Sequence, residues 1–187
     1  MSQLNKVALF LIDGFEETEA MATVDILRRG AVDVTTISLT GKELVKSKHG
    51  VTVQADTLFE KAERAAFDML IIPGGTIDYT GHEGLLDWVR QHHQLGKKLA
   101  AICAAPAVFG KAGILQGKKA VCYPGVEPWL TGAILSDEIV LTDGNITTSR
   151  GPATAIFFAL HILEILKGSQ VAKDVGNEFM TPLIQRG

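Results

Sequence analysis

Short apolar runs alternate with longer amphipathic stretches along the chain, and this alternation restricts the fold more than any other feature. The apolar runs predict strands at residues 6–12, 34–39, 51–55, 69–72, 99–102, 120–123, 139–142 and 146–148. Apolar residues at helical spacing predict helices at residues 17–29, 85–95 and 153–167, with another after residue 102. The last two strands are joined by Asp143-Gly144-Asn145, which is typical of a hairpin turn. Strands separated by helices predict an α/β fold with a mostly parallel sheet covered on both faces.

The size and charge of the chain argue against several classes of protein. Its 187 residues are 47% hydrophobic and 21% charged, so we expect one globular domain over residues 1–187. A formal net charge of -3 gives no electrostatic reason to expect a nucleic-acid partner. The first apolar run is too short for a signal peptide, and residues 155–166 are too short and too polar to span a membrane. We therefore expect a cytoplasmic protein without a membrane partner.

Candidate functional residues follow the predicted strands, because ligands of open parallel sheets bind at the carboxyl ends of the strands. Residues 13–19, 73–76, 103–106 and 149–153 each come directly after a predicted strand. If these segments converge, they bring together carboxylates, free backbone amides, one thiol and one guanidinium.

Of the two cysteines, Cys103 is the candidate for chemistry. It lies between a predicted strand and a predicted helix, with the small residues Ala101 and Ala105 on either side, as in a nucleophile elbow. The nearby helix N-terminus would favour the thiolate. The alternative is a buried cysteine that acts only as a small apolar residue. The strand-to-helix context favours a functional role for Cys103, whereas Cys122 is predicted to be an inert thiol within a buried strand.

The other segments allow both a functional and a structural interpretation. Gly74 and Gly75 offer free backbone N–H groups that could stabilise an oxyanion, or they form a tight turn only. Glu16, Glu17 and Glu19 open the first predicted helix, where acids are favourable, and any of them could instead act as a general acid or base.

Charged residues and histidines give weaker signals. Asp25 and Arg29 are four residues apart and predict a surface ion pair. Arg150 binds an anion or, as we favour, anchors a loop. His92 and His93 are expected on an exposed helix surface and His161 in the apolar last helix. The histidines lack any paired spacing that would indicate zinc, and we expect neither a metal nor a cofactor.

Five motifs follow one another in order between Val7 and about Lys173. They are Gly14-Phe15-Glu16-Glu17-Thr18-Glu19, Val24-Asp25-Ile26-Leu27-Arg28-Arg29, Ile72-Pro73-Gly74-Gly75, Ala100-Ala101-Ile102-Cys103-Ala104-Ala105-Pro106 and Thr148-Ser149-Arg150-Gly151-Pro152-Ala153-Thr154. With them the chain resembles the ThiJ/PfpI superfamily, in the branch of the parkinsonism-associated protein deglycase (DJ-one) and its bacterial relatives. The resemblance implies a flavodoxin-like three-layer α/β sandwich, similar to class I glutamine amidotransferases, and a homodimer.

The same resemblance assigns roles to individual residues. It implies that Cys103 is the elbow cysteine in a strained conformation and that Glu19 hydrogen-bonds its sulfur. It places the backbone amides of Gly75 and Ala104 beside the sulfur, with Gly74 adjacent to Gly75 in the chain. The resemblance further implies that Glu16, Asp25 and Arg29 belong to a dimer surface or anion pocket.

Three positions depart from relatives. Ala104 follows the cysteine where protease-like members carry a histidine, which argues against a protease. Tyr123 stands where the human-type proteins carry a histidine near the cysteine, and His49 appears in place of an arginine of the anion pocket.

The expected function is therefore a cysteine-dependent conversion of reactive dicarbonyls such as methylglyoxal, or of early glycation adducts, without glutathione. The substrate would be a small carbonyl compound. The alternative is a redox sensor or oxidative-stress-response protein that works through oxidation of Cys103, with a holding chaperone as a further alternative. An accessible thiol of low pKa would serve both of the first two functions.

Overall fold

The computed structural model describes residues 5–184, in which strands and helices alternate as the sequence predicts. The strands are β1 (Lys6–Leu11), β2 (Asp33–Ser38), β3 (Leu44–Lys46), β4 (Thr52–Gln54), β5 (Thr57–Leu58), β6 (Met69–Ile72), β7 (Lys98–Ile102), β8 (Lys119–Ala120), β9 (Ile134–Leu135), β10 (Val140–Asp143) and β11 (Ile146–Ser149). The helices are α1 (Glu17–Arg29), α2 (Glu83–Gln94), α3 (Pro106–Ala112), α4 (Ala155–Lys167), α5 (Ser169–Glu178) and α6 (Thr181–Ile184).

Seven of these strands form a central sheet in the spatial order β10-β11-β7-β6-β1-β2-β5. All neighbouring pairs run parallel except β10 and β11, which form the predicted antiparallel hairpin at one edge. Strands β1, β6 and β7 lie in the middle and are almost entirely buried, as expected for parallel strands covered on both faces. Helices α1, α4 and α5 pack together, and α2 packs on α3, which gives the three layers of a flavodoxin-like α/β sandwich.

Two predicted strands lie outside the central sheet. The strand predicted at residues 51–55 is the shorter β4, which pairs with the unpredicted β3 in a separate hairpin. The strand predicted at residues 120–123 is wrong beyond Ala120, because β8 pairs only with β9 in a second small sheet. The backbone N–H of Val121 instead donates to the Thr148 hydroxyl at 3.0 Å. Cys122 is therefore buried, as predicted, but lies in a loop.

The helices differ from the prediction in three places. Helix α4 begins at Ala155 because a short 3-10 turn, Pro152–Thr154, precedes it. Helix α5 follows Gly168, where the sequence analysis placed no further helix. His92 was expected on an exposed surface but is only 2% exposed, because it extends the apolar face of α2 that contains Leu85 and Val89. None of the helices in the described part of the chain is long and apolar enough to cross a membrane.

Candidate active site

Cys103 occupies the sharp turn between β7 and α3. Its φ angle of 66° lies in the left-handed region, which residues other than glycine seldom adopt. Both backbone polar groups are held in place: its N–H donates to the Ser149 carbonyl at 3.0 Å and its carbonyl accepts from the Tyr123 N–H at 2.9 Å. The turn therefore has the strained elbow geometry that the family resemblance implies.

Gly74 lies so close to Cys103 that no larger residue fits. A Cβ atom at position 74 would lie 2.6 Å from the Cys103 Cβ and 2.9 Å from both the Ala104 nitrogen and Glu19 Oε2. Gly75 has a φ angle of 96°, and a Cβ there would lie 2.4 Å from the Glu16 nitrogen. The Gly-Gly pair is thus required by the close approach of two strand ends and α1, which the sequence alone left open.

The sulfur of Cys103 faces two backbone amides. Hydrogen bonds from the N–H groups of Gly75 and Ala104 favour the charged form of the thiol and act to lower its pKa. Two preorganised N–H groups beside a nucleophile can also stabilise the negative oxygen that forms when the nucleophile attacks a carbonyl.

Glu19 is a buried carboxyl group next to this thiol. It is completely inaccessible, and its Oε2 accepts a hydrogen bond of 2.7 Å from the Gly74 N–H. Its Oε1 is buried and has no hydrogen-bond partner among the described residues. Burial raises the pKa of Glu19 to about 7, although the hydrogen bonds from Gly74 and Cys103 act in the opposite direction.

The expected lowering of the cysteine pKa by a helix N-terminus is wrong in direction. Burial, together with the charge of Glu19, raises the pKa of Cys103, and this effect outweighs the two backbone amides. Two interacting acids of this kind titrate as a pair. Once the pair has lost its first proton near neutral pH, it carries one negative charge. Transfer of the remaining proton to Glu19 Oε1 leaves that charge on the sulfur.

Cys103 opens into a cavity of about 280 Å³. This volume is several times the roughly 30 Å³ share of a water molecule in the liquid and accepts a small organic molecule. The lining residues are Glu16, Lys48, His49, Gly75, Cys103, Ala104, Tyr123 and Pro152. The structure therefore brings the predicted residues Glu16, Glu19, Gly74, Gly75, Cys103 and Ala104 together.

Lys48 is a cavity residue that the sequence analysis missed. The β3–β4 hairpin brings it to the site, because the Gly14 N–H donates to the Lys46 carbonyl and the Lys48 N–H donates to the Phe15 carbonyl, both at 2.8 Å. The Lys48 ammonium group donates to the Gly75 carbonyl at 3.1 Å. No local motif marks Lys48, so only the position of the hairpin could have revealed it.

Tyr123 forms another part of the cavity wall. Its side chain is 49% exposed, and a Cβ at Gly151 would lie 3.2 Å from its ring. The aromatic ring thus lies against the Gly151 backbone. The family resemblance implies a histidine at this position, and here a phenol ring forms this part of the cavity wall.

Asp25 and Arg29 lie on α1 but do not line the cavity. Arg29 binds Asp25 at 3.0 Å, as predicted, and also Glu178 at 2.5 Å. Arg150 has the anchoring contact that we favoured, since it binds Asp137 at 3.3 Å. The resemblance grouped Asp25 and Arg29 with Glu16 in a dimer surface or anion pocket, and of these three only Glu16 lines the cavity.

The comparison with protein families agrees with this geometry. The DJ-1/PfpI family pattern matches residues 5–165. The chain belongs to the DJ-1/PfpI family.

Among its relatives, Drosophila melanogaster "Protein dj-1beta" is 38% identical over 92% of this chain and 95% of its own length. The crystal structure of Drosophila melanogaster DJ-1beta has a TM-score of 0.90, with 35% identity over 95% of this chain and 98% of that chain. The Pyrococcus horikoshii protein named "Deglycase PH1704" is 30% identical over 87% of this chain and 99% of its own length. A structure described as oxidized Toxoplasma gondii DJ-1 has a TM-score of 0.90, with 34% identity over 94% of this chain and 98% of that chain.

Proposed function

We propose that the chain is a cysteine-dependent enzyme that converts reactive dicarbonyls such as methylglyoxal, or releases early glycation adducts, without glutathione. One observation carries the proposal. The Cys103 thiol opens into a cavity between two backbone amides and interacts with a buried carboxyl group whose pKa is about 7. A carboxyl group with a pKa near the working pH can both accept and donate a proton, as isomerisation requires. The deglycase name of the Pyrococcus horikoshii relative supports the same class of substrate.

The first step would be attack of the sulfur on the aldehyde carbon. Glu19 takes the thiol proton, the sulfur–carbon bond forms, and the carbonyl electron pair moves to the oxygen. The N–H groups of Gly75 and Ala104 stabilise that oxygen. Return of the proton from Glu19 gives a neutral hemithioacetal.

The second step would move hydrogen between the two carbons of the dicarbonyl. Glu19 removes the proton from the carbon that bears sulfur, and the resulting enediol is protonated on the neighbouring carbon. The product is a thioester of lactate on Cys103. Hydrolysis of the thioester releases lactate and restores the thiol, with no net oxidation and no cofactor.

A redox-sensing function uses the same residues and is our second candidate. Peroxide would oxidise the Cys103 thiolate to the sulfenic and then the sulfinic acid, consuming one peroxide in each step. The unpartnered Oε1 of Glu19, when protonated, supplies a hydrogen-bond donor to the oxidised sulfur. The oxidized state named for the Toxoplasma gondii relative favours keeping this alternative.

We further propose that the protein is a homodimer that uses the exposed face of α1. Asp25 and Arg29 lie on this face and are already paired with each other. Sedimentation of the purified protein tests this proposal. A mass of one chain across the accessible concentration range would contradict it.

The decisive experiment compares Cys103→Ser with Cys122→Ser in methylglyoxal. We expect Cys103→Ser to lower the rate of lactate formation by at least about a thousandfold, because the nucleophile is lost. Cys122→Ser should retain the rate within about twofold, since Cys122 does not line the larger cavity. Equal rates in both variants would rule out catalysis by Cys103.

A wild-type protein that forms no lactate would contradict the enzymatic proposal. Peroxide titration followed by intact mass then tests the second candidate, which requires Cys103 to gain two oxygen atoms before Cys122 is oxidised. Preferential oxidation of Cys122 would contradict the redox function.

A further inference from the structure

Three side chains with metal-binding groups meet at the edge of the cavity. Glu16 and Glu17 begin α1, and His49 follows Lys48 in the turn between β3 and β4. One ligand atom from each of the three lies within 4.8 Å of the other two. His49 Nδ1 is 3.1 Å from Glu17 Oε1 and 3.6 Å from Glu16 Oε2.

These separations match the geometry of a small transition-metal ion. Ligand atoms bound tetrahedrally at about 2.0–2.1 Å from zinc are roughly 3.3–3.4 Å apart. The two distances from His49 Nδ1 lie on either side of this value. The third separation, between the two carboxylates, is below 4.8 Å. One imidazole with two carboxylates favours zinc over magnesium or calcium, which prefer oxygen ligands alone.

Glu16 provides an independent indication of a bound cation. Its side chain is only 8% exposed, and its Oε2 accepts no hydrogen bond from any residue between 5 and 184. The contact of Oε2 with His49 Nδ1, at 3.6 Å, is longer than a hydrogen bond. The neighbouring Glu17 Oε2 is buried and has no hydrogen-bond partner among the described residues, which is costly, and a cation held between the two acids and His49 would supply that partner.

The charges around the cluster also suit a divalent cation. Glu16 and Glu17 place two carboxyl groups beside the His49 imidazole. Lys48 lines the same cavity, and its ammonium group donates to the Gly75 carbonyl at 3.1 Å. The partial positive charge at the N-terminus of α1 stabilises the two carboxylates but repels a cation. The affinity for the metal therefore depends on the nitrogen lone pair that His49 donates.

We propose that Glu16, Glu17 and His49 bind one divalent transition-metal ion, with Zn²⁺ as the representative probe. Glu16 and His49 also line the cavity into which Cys103 opens, so the fourth coordination position faces that cavity. The competing arrangement is an ion pair in which a protonated His49 lies between the two carboxylates. The proposal concerns binding alone and does not depend on the proposed enzymatic reaction.

The test is calorimetric titration of the chelator-treated full chain with Zn²⁺. We expect one ion per chain for the wild type. His49→Gln should weaken binding by at least about tenfold, because glutamine keeps the hydrogen bond but is a poor zinc ligand. His161→Gln is the matched control, since His161 contacts Thr142 rather than the cluster, and it should bind as the wild type does. Circular dichroism of each variant checks that it is folded.

Two further variants decide which groups hold the metal. Glu16→Gln should weaken Zn²⁺ binding by a similar factor, whereas Cys103→Ser should leave the affinity within about twofold. Substitution with Co²⁺ should give the visible absorption of a tetrahedral ion without an intense sulfur-to-metal band. No binding to the wild type, unchanged binding in His49→Gln, or loss of binding in Cys103→Ser would each overturn the proposal.

Discussion

The two cysteines are both buried in loops at strand ends, yet the backbone and the proton-accepting groups around them differ. Cys103 has a positive φ angle, two backbone amides at its sulfur and a carboxyl group that can take its proton. Cys122 faces a smaller cavity of about 100 Å³ that Glu127 and Arg150 also line. Burial and the charge of Glu127 raise the pKa of Cys122 to about 11, and Arg150 only partly offsets them.

The difference shows that the acidity of an isolated thiol does not identify a reactive cysteine. Burial and the charge of Glu19 raise the pKa of Cys103 to about 12, so judged alone it is no more acidic than Cys122. What distinguishes Cys103 is a partner that can accept its proton within the protein, together with donors that stabilise the resulting charge. Each of the following experiments tests one part of this distinction.

The largest effect is expected from replacing the carboxyl group beside Cys103. Burial raises the pKa of Glu19 from 4.5 to about 7, so the stability that its protonated form provides is present below pH 4.5 and lost as the pH rises through about 7. We expect the free energy of unfolding of Glu19→Gln to exceed that of the wild type by about 3 kcal/mol above about pH 7. Below pH 4.5 the two proteins should have equal free energies of unfolding. Urea denaturation at several pH values measures the difference.

The matched control is Glu127→Gln, which replaces the acid near Cys122. It should change the free energy of unfolding by less than about 0.5 kcal/mol at every pH. A difference between Glu19→Gln and the wild type that does not change with pH would contradict a raised pKa for Glu19.

Cys103 should be alkylated at least about tenfold faster than Cys122 near neutral pH. The Glu19–Cys103 pair carries one negative charge above about pH 7, and two backbone amides stabilise the share of that charge that lies on the sulfur. Cys122 has no such partner for its proton, and its pKa is raised to about 11. Mass spectrometry after timed iodoacetamide treatment gives both rates. Faster alkylation of Cys122 would show that the shared charge stays on Glu19.

A smaller effect is expected from a methyl group added near each cysteine in the chain, at Gly74 or at Gly125. Gly74→Ala places a Cβ 2.6 Å from the Cys103 Cβ and should lower kcat/KM for methylglyoxal by at least about tenfold. Gly125→Ala adds a methyl group two residues beyond Tyr123, where nothing lies within 4 Å, and strains only its own positive φ. It should therefore keep kcat/KM within about twofold. Equal losses in the two variants would remove the argument for close packing at Cys103.

The smallest effect is expected from Cys122→Ala. Removal of a buried sulfur should lower the free energy of unfolding by about 1 kcal/mol and leave lactate formation unchanged. Thermal and urea denaturation measure the first quantity and a lactate assay the second. A loss of activity without a loss of stability would assign Cys122 a role in the reaction.

Much of this arrangement could be predicted from the sequence, because it depends on periodicity and on strand ends. The central strands are continuous apolar runs, and their carboxyl ends bring residues 13–19, 73–76 and 103–106 to one edge. The convergence of Cys103, Gly74 and Gly75 follows from that topology. The spacing of Glu16, Glu17 and Glu19 at the start of α1 did not identify the acid that lies beside the thiol. The direction of the α1 turn decides this, and it places Glu19 there.

The features that could not be predicted depend on contacts between distant segments. The β3–β4 hairpin lacks a strong strand pattern, so Lys48 at the cavity was not expected, and only the family resemblance placed His49 near the anion pocket. The loop position of Cys122 results from hydrogen bonds such as that between Val121 and Thr148. Burial, together with the charge of Glu19, raises the pKa of Cys103 and so reverses the direction that local helix geometry suggested.

The β3–β4 hairpin has a consequence for how such proteins diversify. It adds nothing to the central sheet, and backbone hydrogen bonds join Lys46 and Lys48 to the segment after β1. The opposite wall, at Gly74 and Cys103, is fixed by close contacts of the core and tolerates no larger side chain. Sequence drift can therefore exchange the hairpin wall while the sulfur and its donors stay unchanged. Transplanting a hairpin between relatives should transfer ligand preference without rebuilding the nucleophile.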